Sequence, residues 1–158
     1  MIHQLREVGE YKELINKVKE FTIERHEDNL QIIVKRSSYT CIINTTSNHP
    51  FRCPIISINN KPYNTLRYLP EESLLHTIYK YISEEFGVTY RYPIDEGPCS
   101  CLCCDYLLNH WMPTVTLATL IEEVDTFMTI RKKTIDVFNA NIIKKHFLHD
   151  DIDIESFL

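Results

Sequence analysis

Cys99, Cys101, Cys103 and Cys104 crowd one short stretch, which Asp105, the chain's only tryptophan (Trp111) and Pro113 follow. A thiol beside a carboxylate can perform acyl transfer. The thiolate accepts an acyl group as a thioester, then leaves when an amine attacks. That amine must be neutral, and a nearby carboxylate orients it and helps to remove its proton. Asp105, two residues past Cys103, suits that task. The tetrahedral intermediate also needs donors for its oxyanion, and losing one costs about 10²–10³-fold in rate. Asn109 is the candidate side chain for this, beside backbone amides. Two other readings compete. Free cysteine is often only a small buried apolar residue. The four thiols could also bind zinc, with His110, but structural zinc sites draw on two separated pairs. Here the second pair would have to come from Cys53 or His49.

Elements must position these groups. Leu5, Val8, Tyr11, Leu14, Ile15, Val18 and Phe21 recur at helical spacing, which predicts an amphipathic helix over residues 3–22. Strand-like runs follow at Leu30–Lys35 and Tyr39–Thr45, with a turn at Ser37-Ser38, and a third at Ile55–Ile58. An antiparallel meander is the simplest arrangement. Asn59-Asn60-Lys61-Pro62 breaks the pattern. Pro70, Glu71 and Glu72 open a further helix that Gly87 closes. Residues 88–114, with Pro93, Pro98 and Pro113, read as irregular. A helix from about Thr116 and a separate last helix over 134–147 follow, and then an acidic tail at 150–155. The fold class is α+β, in one domain over residues 1–158.

Bulk properties narrow the function. With 158 residues the chain can bury a core without disulfides or metal. A net charge of −5, both signs interspersed, argues against a nucleic-acid partner, which would meet a basic stripe. No apolar run has the roughly 18 residues that a membrane span requires. The first residues lack the apolar centre of a signal peptide. A cytoplasmic or nuclear location is therefore expected, where thiols stay reduced. Three glycines are too few for a Gly-rich phosphate cradle. Neither a cofactor nor a metal is expected.

The run Cys103-Cys104-Asp105, with Trp111 eight residues after Cys103 and Pro113 beyond it, resembles the active-site segment of ubiquitin-conjugating enzymes. There a cysteine-leucine-aspartate run precedes, at a fixed distance, a tryptophan, one residue and a proline. Counting back from Trp111 selects Cys103 over Cys101 and Cys104. His49-Pro50-Phe51-Arg52-Cys53-Pro54 is similar to the aromatic-proline-phenylalanine-basic-proline-proline run through which that family leaves its sheet. The two motifs lie in the family's order, and the resemblance covers nearly the whole chain. It implies a UBC-like fold: an N-terminal helix, an antiparallel meander sheet, an irregular active-site segment and C-terminal helices. A helix at about 70–87 is inserted before the cysteine.

The resemblance further implies that Cys103 accepts ubiquitin or a ubiquitin-like modifier from an activating enzyme and passes it to a lysine. Phe51, Met112 and Pro113 would bind a RING-type ligase. Three departures keep a second reading open, a non-catalytic ubiquitin-conjugating-variant or RWD-like interaction module. Where the family carries histidine-proline-asparagine, this chain reads Tyr92-Pro93-Ile94, then Asp95. His49 and Cys103 stand 54 residues apart, longer than the family's interval. The proline- and aspartate-rich segment after the third helix is not recognisable in residues 130–138.

Overall fold

Five antiparallel strands between an N-terminal and a C-terminal helix make the fold α+β. The computed structural model describes residues 2–69, 73–87 and 107–148, with side chains from residue 8 to residue 142. The elements are α1 (Ile2–Lys17), β1 (Phe21–His26), β2 (Asn29–Lys35), β3 (Thr40–Asn44), β4 (Ile55–Ile58), β5 (Lys61–Pro62), α2 (Tyr63–Arg67), α3 (Leu74–Glu85) and α4 (Leu117–Leu148). They fall into two compact units: residues 2–67 with 107–123, and residues 68–87 with 124–148. Among the described residues no helix is long and apolar enough to cross a membrane.

The sheet of the first unit is a meander in the order β1-β2-β3-β4-β5. Side chains alternate between its faces, so the register stacks apolar residues into rows. Ile23, Ile32, Ile43 and Ile56 form one row; Phe21, Val34, Cys41 and Ile58 form the next. From β2 to β4 both rows are buried. Asn59 and Asn60 both adopt left-handed φ values (+49° and +64°), the conformation of a two-residue hairpin turn. The segment expected only to interrupt the pattern therefore folds back as β5, with Ile58 opposite Lys61.

The first helix is shorter than its spacing predicts. It stops at Lys17, Glu20 turns the chain at φ +59°, and Phe21 opens β1. Pairing of Phe21 with Val34 and of Ile23 with Ile32 overrides the helical period. The inward face also differs. Glu10, Leu14 and Val18 are buried, four residues apart, whereas Val8, Tyr11 and Ile15 are about half exposed.

In the second unit, α3 starts at Leu74, later than Pro70, because Ser73 caps it: its Oγ accepts the His76 N–H at 3.2 Å. Pro70 to Glu72 lie outside the described residues. Gly87, at φ +68°, ends the helix as expected. Tyr79 and Phe127 pack with ring centroids 6.0 Å apart, and the Lys133 ammonium lies 4.8 Å from the Phe86 ring centre. The two expected C-terminal helices are one helix of 32 residues. No glycine or proline interrupts residues 129–134, and the Thr129 and Thr134 hydroxyls donate to carbonyls one turn back (2.9 and 2.8 Å). The acidic tail at 150–155 lies outside the described residues.

The stacked rows set the sheet's sensitivity. Ile43→Ala should destabilise the protein by about 2–5 kcal/mol in urea denaturation, because Ile43 is fully buried mid-row. Ile55→Ala, one strand away and exposed, should cost under about 0.5 kcal/mol.

Candidate functional site

Among the described residues, two loops carry Phe51, Asn109, Met112 and Pro113, and a hydrogen bond joins the loops. The first loop, residues 45–54, links β3 to β4. It winds through consecutive turns, with His49 N–H donating to Thr46 C=O at 3.0 Å and Phe51 N–H to Asn48 C=O at 2.7 Å. The His49–Pro50 peptide is cis. The second loop precedes α4. His110 N–H donates to Leu107 C=O at 3.2 Å, and Val115 N–H to Met112 C=O at 2.9 Å. Pro113 thus takes the second position of a four-residue turn, where its fixed φ is favoured. The Trp111 indole Nε1–H donates to the Pro50 carbonyl at 2.7 Å, across 61 residues of chain.

This bond sets Phe51 beside Pro50 on one loop and Met112-Pro113 beside Trp111 on the other. Phe51 is 79% exposed and Met112 58% exposed, and Pro113 is exposed too. Phe51 therefore does not pack into the core. Asn109 is exposed in the turn ahead of Trp111. Cys53 is exposed near the end of the first loop, and Cys41 is buried in β3. Cys103 and Asp105, the candidate nucleophile and its helper, lie outside the described residues. So do Cys99, Cys101 and Cys104. Among the described residues no group of histidine, cysteine, aspartate or glutamate side chains could hold a metal ion.

Beneath the first loop lies a contact that the sequence did not disclose. Glu10, 6% exposed, meets the ring of His49, 4% exposed; Nε2 is 3.0 and 3.2 Å from its two carboxylate oxygens. A carboxylate only accepts, so Nε2 is the donor. Nδ1 is buried and has no hydrogen-bond partner among the described residues, at a cost of about 1–3 kcal/mol. The His49 and Trp111 rings lie 6.0 Å apart at 44°. The available signal was an acid at position 10 in phase with Leu14 and Val18, but the broader apolar periodicity masked it.

Two further contacts fix the second loop. Leu107 N–H donates to both Glu123 carboxylate oxygens (3.2 and 3.1 Å), and the Tyr63 hydroxyl donates to Glu123 at 3.4 Å while accepting from Arg67 at 3.0 Å. The Thr116 hydroxyl donates to Glu13 at 3.2 Å, tying the start of α4 to α1. Glu13 also accepts from Lys17, and that hydrogen bond, more than the charges of Glu13 and Glu122, holds the exposed Lys17 ammonium above the usual lysine pKa.

No family model, curated protein or solved structure matches this chain. Its site has to be read from its own residues. The two thiols in the described part, Cys41 buried in β3 and Cys53 exposed on the first loop, belong to no metal-holding group there. What that part does supply is two stiff, adjacent, partly apolar loops held from below.

The indole bond is open to direct test. Trp111→Phe keeps an aromatic ring but removes the indole N–H that donates to the Pro50 carbonyl. It should cost about 1–2 kcal/mol in denaturation followed by circular dichroism, whereas a change within error would show that the bond contributes nothing to the fold.

Proposed function

We propose that this chain is a divergent ubiquitin-conjugating enzyme of UBC-like fold, which carries ubiquitin or a ubiquitin-like modifier as a thioester on Cys103. The observation that supports the reading most is the Trp111–Pro50 hydrogen bond. Pro50 and Trp111, one from each of the two motifs that carry the resemblance, are 61 residues apart in the chain, and this bond joins them. The exposure of Phe51, Met112 and Pro113 on those loops supports the docking role. A large apolar ring and a flexible thioether beside a proline-stiffened turn suit a partner's shallow apolar groove.

In this reading the activating enzyme delivers the modifier's C-terminal acyl group to the Cys103 thiolate, and the activating enzyme's own thiol leaves. A lysine amine then attacks the new thioester. Asp105 orients that amine and takes its proton, and the Cys103 thiolate departs as the amide bond forms. Asn109 and backbone amides are the donors for the oxyanion in a chain without the family's asparagine. The RING-type ligase docks on Phe51, Met112 and Pro113.

Incubation with activating enzyme, ubiquitin and ATP tests this. Wild-type protein should form a thiol-sensitive adduct that Cys103→Ala abolishes. An adduct that persists in that variant would move the nucleophile to Cys101 or Cys104. Asp105→Ala should still load but discharge to lysine about 10²-fold more slowly. Phe51→Ala should load normally and lose about tenfold in ligase-stimulated discharge. No adduct with any of several activating enzymes would favour the non-catalytic interaction module, whose proline-marked turn and following helix the chain also possesses.

A further inference from the structure

Glu10 points inward from α1, on the same face as Leu14 and Val18, and offers both carboxylate oxygens to His49 Nε2 at 3.2 and 3.0 Å. Stability does not account for such a pair. Charged or polar partners taken from water lose hydration that their mutual attraction barely offsets, and an apolar pair of similar volume often packs as well or better. His49 also leaves its Nδ1 buried without a partner among the described residues. What a polar pair supplies and an apolar one does not is direction. The carboxylate accepts along the Nε2–H axis and so fixes the plane of the ring.

That plane matters because of what adjoins it. The next residue is Pro50, whose carbonyl receives the Trp111 indole at 2.7 Å, and the His49 ring lies 6.0 Å from the Trp111 ring. We infer that Glu10 and His49 are positioning residues for the Phe51 and Met112-Pro113 surface, holding the Pro50 carbonyl where Trp111 can reach it. Helix α1 thereby controls a docking surface to which Glu10 itself, being buried, contributes no area. The inference rests on the ligase reading of that surface, and its experiment separates the two.

Trp111 is the only tryptophan, so a ¹⁵N–¹H spectrum of the full chain holds one indole N–H signal, whose exchange with D₂O reports the bond to Pro50. Backbone amides of β2 and β3 in the same spectra report general stability. In the apolar pair Glu10→Leu with His49→Leu, indole exchange should accelerate about tenfold relative to those amides. Binding to a fixed panel of purified RING domains should weaken by about the same factor. Glu10→Asp, which draws the carboxylate back by one methylene, should act in the same direction and serves if the double variant does not fold. Glu10→Gln, whose amide oxygen still accepts from Nε2, should restore both readouts to within about threefold of wild type.

Unchanged indole exchange in the double variant, or in Glu10→Asp where that must stand in, would overturn the coupling. Faster indole exchange with wild-type RING binding would overturn the positioning role. If no RING domain binds even the wild-type chain, the ligase reading falls, and indole exchange alone still upholds or overturns the link between α1 and the loop.

Discussion

The indole of Trp111 reaches across 61 residues of chain to a single backbone carbonyl, that of Pro50, and the described part of the candidate site flanks that contact. Pro50 sits in the loop between β3 and β4, and Trp111 in the loop ahead of α4. Neither loop belongs to the sheet, so strand pairing cannot fix their separation. A short N–H···O bond in a partly buried place can, because breaking it would leave a carbonyl without the water that once solvated it. Once Trp111 is held, the Met112–Val115 turn beyond it is held too, and Phe51 must project outward from the other side.

Two polar contacts support the loops that this bond joins. Below the first loop, Glu10 meets His49; behind the second, Glu123 takes the Leu107 amide within reach of Tyr63 and Arg67. Apolar packing fills space but is non-directional. Hydrogen bonds between groups of fixed geometry add the direction. The isoleucine rows of the sheet therefore account for the presence of a core, and the polar contacts account for where the two loops sit on it.

Much of the fold was legible because local pattern and tertiary need agreed. Alternation marked β2, β3 and β4 closely, and the Gly87 stop is where a residue with left-handed φ was required. Errors fell where they disagreed. Phe21 and Ile23 fit a helical period and a strand alternation equally well, and only their partners Val34 and Ile32 decide for the strand. Asn59-Asn60 reads as a break from the sequence, yet two left-handed residues are what a tight hairpin needs. The division of α4 into two helices had no proline or glycine to enforce it.

For the site, the residue types and spacing around Cys103, Asp105 and Trp111 were set by the chain alone, as was the chemistry open to a thiol beside a carboxylate. So was the order of the two motifs. Their adjacency was not, because a hydrogen bond between positions 50 and 111 leaves no periodic trace in a linear sequence. Nor was the outward projection of Phe51, since an apolar side chain in a loop can pack either way until its neighbours fill the interior. Glu10 is the clearest case. In the sequence it is one more charge on an amphipathic helix, and in the folded chain it is buried against His49, 39 residues away.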